Sequence, residues 1–199
     1  APPAVSWDPA DPANRAMDAQ RDEIAGRLLE GRSVRWALDL GCGRGEALET
    51  LGLPGVGVDL SIVRLHLAPG PVVQADGARL PFPDDTFDLV VARNVLSSIP
   101  DDDQRRAVAS EVVRVLEAGG EVLWYDQRWP NPGNGSTRPV TRRDLLQLFP
   151  GAELRLEPVT LVPALGRAFP RSYHRLHRLR ALRSHLIGLI RPDQVAQRH

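Results

Sequence analysis

The run Leu38-Asp39-Leu40-Gly41-Cys42-Gly43-Arg44-Gly45 sets an acid two residues before the first of three alternating glycines. Glycines so placed let the backbone pass close to a bound ligand. A dinucleotide-binding turn spaces its glycines as GxGxxG to seat a pyrophosphate on a helix N-terminus. Here the third glycine arrives one residue early and position 46 is Glu. Asp39 would repel a pyrophosphate and favour a cationic ligand. Asp59, Asp76 and Asp126 each close a short apolar run. Taken alone, Asp59 suits a helix N-cap and Asp76 a turn. Asp126 is a candidate base or substrate ligand, or a loop acid paired with Arg128. The single cysteine, Cys42, excludes an intrachain disulfide and a Cys-based zinc site. A small residue fits the glycine turn, and that is the favoured reading of Cys42 over a catalytic thiol. All 25 basic residues are Arg, which excludes lysine Schiff bases and a P-loop lysine.

The elements that must hold these residues alternate along the chain. Residues 1–15 form a loose lead-in, followed by an amphipathic helix from Ala16 to Leu29. Strands are expected at Val34–Leu40, Val56–Leu60, Val72–Ala75, Phe87–Ala92 and Glu121–Tyr125. Short helices fall at Glu46–Leu51 and Ser61–Leu67. A longer one spans Asp101–Leu116, ended by Gly119-Gly120, with acids at its start and a Val108/Val112/Val115 stripe. Thr141-x-x-Asp144 resembles a capping box opening a helix to Phe149. Then come a strand at Leu154–Val162, a helix from Pro170 to Leu182, and an apolar run His185–Ile190. This order predicts an α/β fold, a mostly parallel sheet covered on both faces.

In these motifs the chain resembles the class I S-adenosylmethionine-dependent methyltransferases, over about Trp36 to Asp126. The acid-x-Gly-x-Gly-x-Gly run is that family's first motif. Leu80-Pro81-Phe82-Pro83-Asp84 and Arg114-Val115-Leu116-Glu117-Ala118-Gly119-Gly120 match its leads into the fourth and fifth strands, with Ala118 where Pro is commoner. The resemblance implies a Rossmann-like fold with a mostly parallel seven-stranded sheet, as one domain over residues 16–199. It implies S-adenosylmethionine as cofactor, S-adenosylhomocysteine as product, and no metal. Gly41, Cys42, Gly43 and Gly45 would line the cofactor, with Asp39 near its methionine end. Asp59 would hold the ribose hydroxyls, Leu60 would pack on the adenine, and Asp76 with Gly77 and Ala78 would meet the adenine edge. Arg15 is a candidate for the methionine carboxylate, and Arg93 is placed on the cofactor side.

The acceptor would lie beyond the fourth and fifth strands, beside Asn94, Ser97, Tyr125, Asp126 and Arg128. The Asn/Asp-Pro-Pro-aromatic motif of amino methylation on nucleic acid bases or glutamine is absent. Ser97 and Ser98 stand where many small-molecule enzymes of the family carry a histidine. The expected catalytic residues are Asp126 and, from the last helix, His174. The expected reaction is O- or N-methylation of a small molecule, such as a secondary metabolite or sugar. The alternatives are an RNA or protein methyltransferase docking through a basic C-terminal face, and a cofactor-binding module without chemistry. Residues 1–137 carry 13 Arg against 21 acids, and residues 138–199 carry 12 Arg against 4. That asymmetry disfavours a uniformly basic nucleic-acid binder but leaves a local basic face. Arg171, His174, Arg175 and Arg178 share one side of the last helix, opposite Leu176, Leu179 and Leu182. No membrane-length apolar run and no signal peptide are visible. The expectation is a cytoplasmic monomer or homodimer with no nucleic-acid partner and no membrane insertion.

Overall fold

The structure, a computed structural model, describes residues 11–130, 135–169, 172, 175–176 and 178–193. Helix α1 spans Pro12–Leu29. Asp11 caps it, its carboxylate accepting the Ala13 N–H at 2.7 Å, and Pro12 supplies a first-turn φ without a lost donor. The helix therefore starts four residues before Ala16, and residues 12–15 of the expected lead-in form its first turn.

Seven strands follow: β1 (Ala37–Leu40), β2 (Gly55–Asp59), β3 (Val72–Gln74), β4 (Phe87–Arg93), β5 (Leu116–Gln127), β6 (Glu153–Leu161) and β7 (Arg183–Arg191). They make one sheet in the order β3-β2-β1-β4-β5-β7-β6. β1 to β5 run parallel, and β7 lies antiparallel between β5 and β6. Between them run α2 (Glu46–Leu51), α3 (Ile62–Leu65), α4 (Asp102–Val115), α5 (Arg142–Leu148) and α6 (Pro163–Ala168). The capping box at Thr141 and Asp144 forms as expected.

Alternation along the strands divides the core in two. Leu38, Leu40, Val90, Ala92, Val122 and Trp124 face α4 and α5, packing on Val108, Val112 and Leu145. Ala37, Leu89, Val91, Leu123 and Tyr125 face the other way, onto Ile24 and Ala25 of α1 and Ala47 of α2. The strand order reverses at β1, so the ligand crevice of such a sheet lies beyond the carboxyl ends of β1 and β4.

Three local expectations change. β5 begins at Leu116, not Glu121, and a register shift between Phe87 and Leu89 absorbs residues 117–120 as an irregular stretch. α6 was not anticipated. The single helix expected from Pro170 to Leu182 does not run through Leu179, which is extended (φ −81°, ψ 95°) before a 3₁₀ turn at Arg180–Leu182. Leu176 and Leu182 pack beside Leu161 as a leucine stripe would, but Leu179 is 55% exposed. Among the described residues, no helix is long and apolar enough to cross a membrane.

Candidate active site

The glycine turn joins β1 to α2, with Gly41, Gly43 and Gly45 all in the left-handed region (φ 67°, 57° and 74°). A Cβ on Gly41 would lie 2.9 Å from Val95 Cγ2, and one on Gly45 would lie 2.9 Å from Ala68 Cβ. A Cβ on Gly43 would meet nothing within 4 Å, so this is the turn's open side. The Cys42 N–H donates to Val58 O at 2.9 Å, and the Gly43 N–H donates to Asp59 Oδ2 at 2.9 Å. The Cys42 thiol packs at Gly57; burial, Asp39 and Asp59 push its pKa up to about 12, so it is a filler and not a nucleophile.

Asp59 is thus fixed by the turn it faces. Its other oxygen, Oδ1, accepts the Ser61 N–H at 2.8 Å. Each oxygen keeps a lone pair for a further donor, such as one of two neighbouring hydroxyls. Leu60, next in sequence, is 63% exposed and presents an apolar surface beside it. Asp76 is also exposed, and its Oδ1 accepts the Ala78 N–H at 2.9 Å, closing the turn through Gly77.

A cavity of about 270 Å³ opens beside the turn, lined by Asp18, Arg21 and Asp22 of α1 together with Asp39, Gly41 and Arg93. Asp39 is 2% exposed, and its Oδ2 has no hydrogen-bond partner. Burial pushes its pKa up to about 7, with Arg93 opposing and Asp59 adding to the rise. Arg93 holds Asp22 Oδ1 through Nη1 at 3.1 Å, while its Nη2 is buried and unpartnered. Burial and the neighbouring Arg21 depress the Arg93 pKa. A buried acceptor and a buried donor left unmatched in one cavity are costly. A ligand carrying both an ammonium and a carboxylate would satisfy the two together. Arg15 is exposed on the first turn of α1 and does not line this cavity; Arg21 and Arg93 stand there in its place. A larger apolar cavity of about 370 Å³ opens by Trp36, Leu48, Leu53 and Val72, with Asp39 and Glu49 its only charged groups among the described residues.

The acceptor-side residues divide by strand parity. Tyr125 and Arg93 are register partners on the α1 side. Asp126 falls on the opposite face and is 0% exposed. It accepts the Ser97 N–H at 3.0 Å and the Gln127 N–H at 2.9 Å. Burial pushes its pKa up to about 6, against the pull of the Ser97 hydroxyl, these N–H groups and Arg105. Asp126 is therefore a buried tie between the 3₁₀ turn Leu96–Ser98 and β5, not a base open to substrate. It does not pair with Arg128 either. Arg128 donates to the carbonyls of Arg183 (2.9 Å) and Arg180 (3.4 Å) and lies over Trp129, 4.7 Å from the ring centre. Ser97 is buried with Asp126, and Asn94 is exposed in the left-handed region (φ 56°), its N–H on Tyr125 O. The Tyr125 ring is buried under Arg21 (5.6 Å to the ring centre), and its hydroxyl lies 3.0 Å from Thr160 Oγ1. Burial raises that phenol's pKa. His174 lies outside the described residues.

Three contributors were missed in the sequence: Asp18, Arg21 and Asp22 on α1. They are charges clustered on one helix, close to the buried Met17. Period-two counting from Leu123 through Tyr125 to Gln127 would have separated Asp126 from this group.

A family model described as a methyltransferase domain matches residues 38–124. An uncharacterized methyltransferase of Mycobacterium marinum is 31% identical over 140 residues, covering 63% of this chain and 51% of that protein. The chain thus spans about half the length of the curated relatives it matches. Its fold is shared with an S-adenosylmethionine-dependent methyltransferase from Archaeoglobus fulgidus (16% identity, TM-score 0.62, 89% of this chain and 96% of that one). It is also shared with an S-adenosylmethionine-bound amino pentose methyltransferase of Micromonospora echinaspora (17% identity, TM-score 0.61, 88% and 91%). Residues 38–124, which carry the glycine turn and Asp59, thus match a methyltransferase domain, on a fold shared with S-adenosylmethionine-dependent methyltransferases.

Proposed function

We propose that the protein transfers a methyl group from S-adenosylmethionine to a small-molecule acceptor. The observation that carries this reading is the pair of unmatched buried atoms, Asp39 Oδ2 and Arg93 Nη2, facing one cavity beside the fixed carboxylate of Asp59. These residues fit the cofactor's groups one by one. Asp39 would take the methionine ammonium and Arg93 the carboxylate, with Asp22 keeping the guanidinium in place. Asp59 would hold the ribose hydroxyls, a charge-assisted and oriented contact. Leu60 would cover the adenine, and Asp76 with Gly77 and Ala78 would meet its edge.

When bound, this cofactor supplies an electrophilic methyl group on a positively charged sulfur. The chain's own part is to fix donor and acceptor in line, worth up to roughly 7–11 kcal/mol, and to exclude water. The SAM-bound amino pentose methyltransferase that shares this fold supports a small acceptor. The test is calorimetric titration with S-adenosylhomocysteine and, separately, NAD. Binding of the first and not the second is expected; the reverse would overturn the proposal.

A further inference from the structure

From Pro158 to Pro192 the chain carries seven Arg and three His, and neither Asp nor Glu. The connection between β6 and β7 lies inside that stretch. β7 runs antiparallel to β5, so its start meets the carboxyl end of β5, on the edge of the sheet where the crevice opens. Among the described residues of this connection, Leu165, Leu176 and Leu182 fasten it to Leu161 of β6 and to Ala13 and Met17 of α1. Phe169 and Leu179 each stand one turn beyond a member of that cluster. The Phe169 N–H donates to Leu165 O at 2.9 Å, and the Leu179 N–H donates to Leu176 O at 3.0 Å. Neither side chain joins the cluster: Phe169 is 54% exposed and Leu179 55%.

Arginines stand around these two side chains. Arg175, Arg178 and Arg180 are exposed. Arg128 arrives from the end of β5, donates to the carbonyls of Arg183 and Arg180 next to Leu179, and lies over Trp129, itself 38% exposed. A merely solvated face would not interleave open Trp, Phe and Leu with its charges. That mixture matches a surface that offers phosphates to the arginines and an apolar layer just beneath them, as an anionic bilayer does. Trp suits the boundary between the two, with one end apolar and the other wet. A nucleic acid would pair the arginines too, but it offers an aliphatic side chain such as Leu179 little to bury against. An extended polyanion leaving this face would also run onto the rest of the chain, where residues 1–137 hold 21 acids against 13 Arg. A flat bilayer touches the basic face alone.

We propose that this face docks the protein reversibly on an anionic lipid bilayer, with Phe169, Leu179 and Trp129 entering the interface and Arg128, Arg178 and Arg180 meeting lipid phosphates. Docking of this kind needs no spanning helix. It holds the carboxyl edge of the sheet, and with it the crevice, against the lipid. Vesicle binding requires no cofactor, so the proposal stands or falls apart from the methyl-transfer reading.

The test is co-sedimentation of the full chain with phosphatidylcholine vesicles, with and without phosphatidylglycerol. Wild type should sediment with the anionic vesicles and not with the neutral ones, and added salt should weaken binding. Replacing two arginines together, Arg178→Gln with Arg180→Gln, should weaken it by about tenfold or more, at roughly fivefold for each charge. Phe169→Ser with Leu179→Ser should weaken it by about fivefold or more with the charge unchanged. Arg106→Gln, on α4 across the sheet, should bind as wild type does. The tryptophan emission of wild type should move to shorter wavelength on anionic vesicles, and Trp129→Tyr should lose most of that shift. All these positions are exposed, so melting curves should match wild type; the wild-type emission shift stands as a readout should one variant misfold. No binding of wild type to anionic vesicles, including the case where it captures polyuridylate instead, overturns the proposal. So does full binding by the Phe169 and Leu179 pair, or a loss in Arg106→Gln as large as in the double arginine variant.

Discussion

Arg93 Nη1 meets Asp22 Oδ1 at 3.1 Å, tying the end of β4 to α1 and leaving Nη2 turned to the cavity without a partner. The ion pair uses only one side of the guanidinium and leaves Nη2 a buried donor with no acceptor. The charged residues of this corner come from segments far apart in the chain, such as Asp22 on α1, Asp39 on β1 and Arg93 on β4.

Arg93→Met should weaken S-adenosylhomocysteine binding by tenfold or more, matching the roughly 1.5–3 kcal/mol of a hydrogen bond to a charged group. Adenosine lacks the amino acid end, and its affinity should not change. Calorimetry with both ligands checks this, and equal losses would place Arg93 elsewhere on the cofactor.

The pH dependence of binding follows from Asp39. Its carboxyl is held near pKa 7 in the ligand-free protein, and an ammonium beside it favours the ionised form. Binding should therefore release a proton, and affinity should fall as pH drops from 8 to 6. Asp39→Asn should flatten that dependence. Buffers of different ionisation enthalpy at each pH would reveal the released proton; the same proton count in both proteins would assign it to another group.

Stability carries the opposite sign. The folded-state pKa of Asp39 lies above the ordinary 3.8, so its protonated form favours folding. That contribution is full below pH 4 and is lost as pH rises through 7. Asp39→Asn should raise the unfolding free energy of the ligand-free protein at pH 8, by on the order of 2–4 kcal/mol, and change little at pH 4. A variant less stable than wild type at pH 8 would show that the unmatched oxygen has a partner in solution.

The first two glycines of the turn should part company. Gly41→Ala drives a Cβ into Val95, so folding itself should suffer. Gly43→Ala meets no atom and costs only the left-handed backbone, about 1–2 kcal/mol. It should fold and yet bind S-adenosylhomocysteine at least tenfold more weakly, because the new methyl group fills the open side of the turn. Thermal melts with and without ligand separate the cases.

Asp126→Ala strips the partner from the buried Ser97 N–H and should destabilise the fold by about 1–3 kcal/mol. Cofactor affinity should stay within threefold. Full stability in this variant would leave Asp126 without the tie described for it.

One half of the candidate site was legible because its signals are local. The spacing of Asp39, Gly41, Gly43 and Gly45, and Asp59 at a strand end, belong to single βα turns. The other half is assembled across the fold. Nothing near Asp22 names Arg93; only the sheet order brings them together. Asp126 was overvalued because an acid at a strand end draws attention while parity decides its face. The Gly119-Gly120 pair looks like a helix terminator, yet the chain turns extended at Leu116 and uses the glycines in an irregular strand start.

The central claim, a pocket built for S-adenosylmethionine, is tested most directly by calorimetric titration of wild type and Asp59→Ala with S-adenosylhomocysteine. The account predicts saturable one-site binding by the wild type and a loss of roughly 1.5–3 kcal/mol in the variant, the worth of hydrogen bonds to a carboxylate. No binding by the wild type, or equal binding by both proteins, would contradict it.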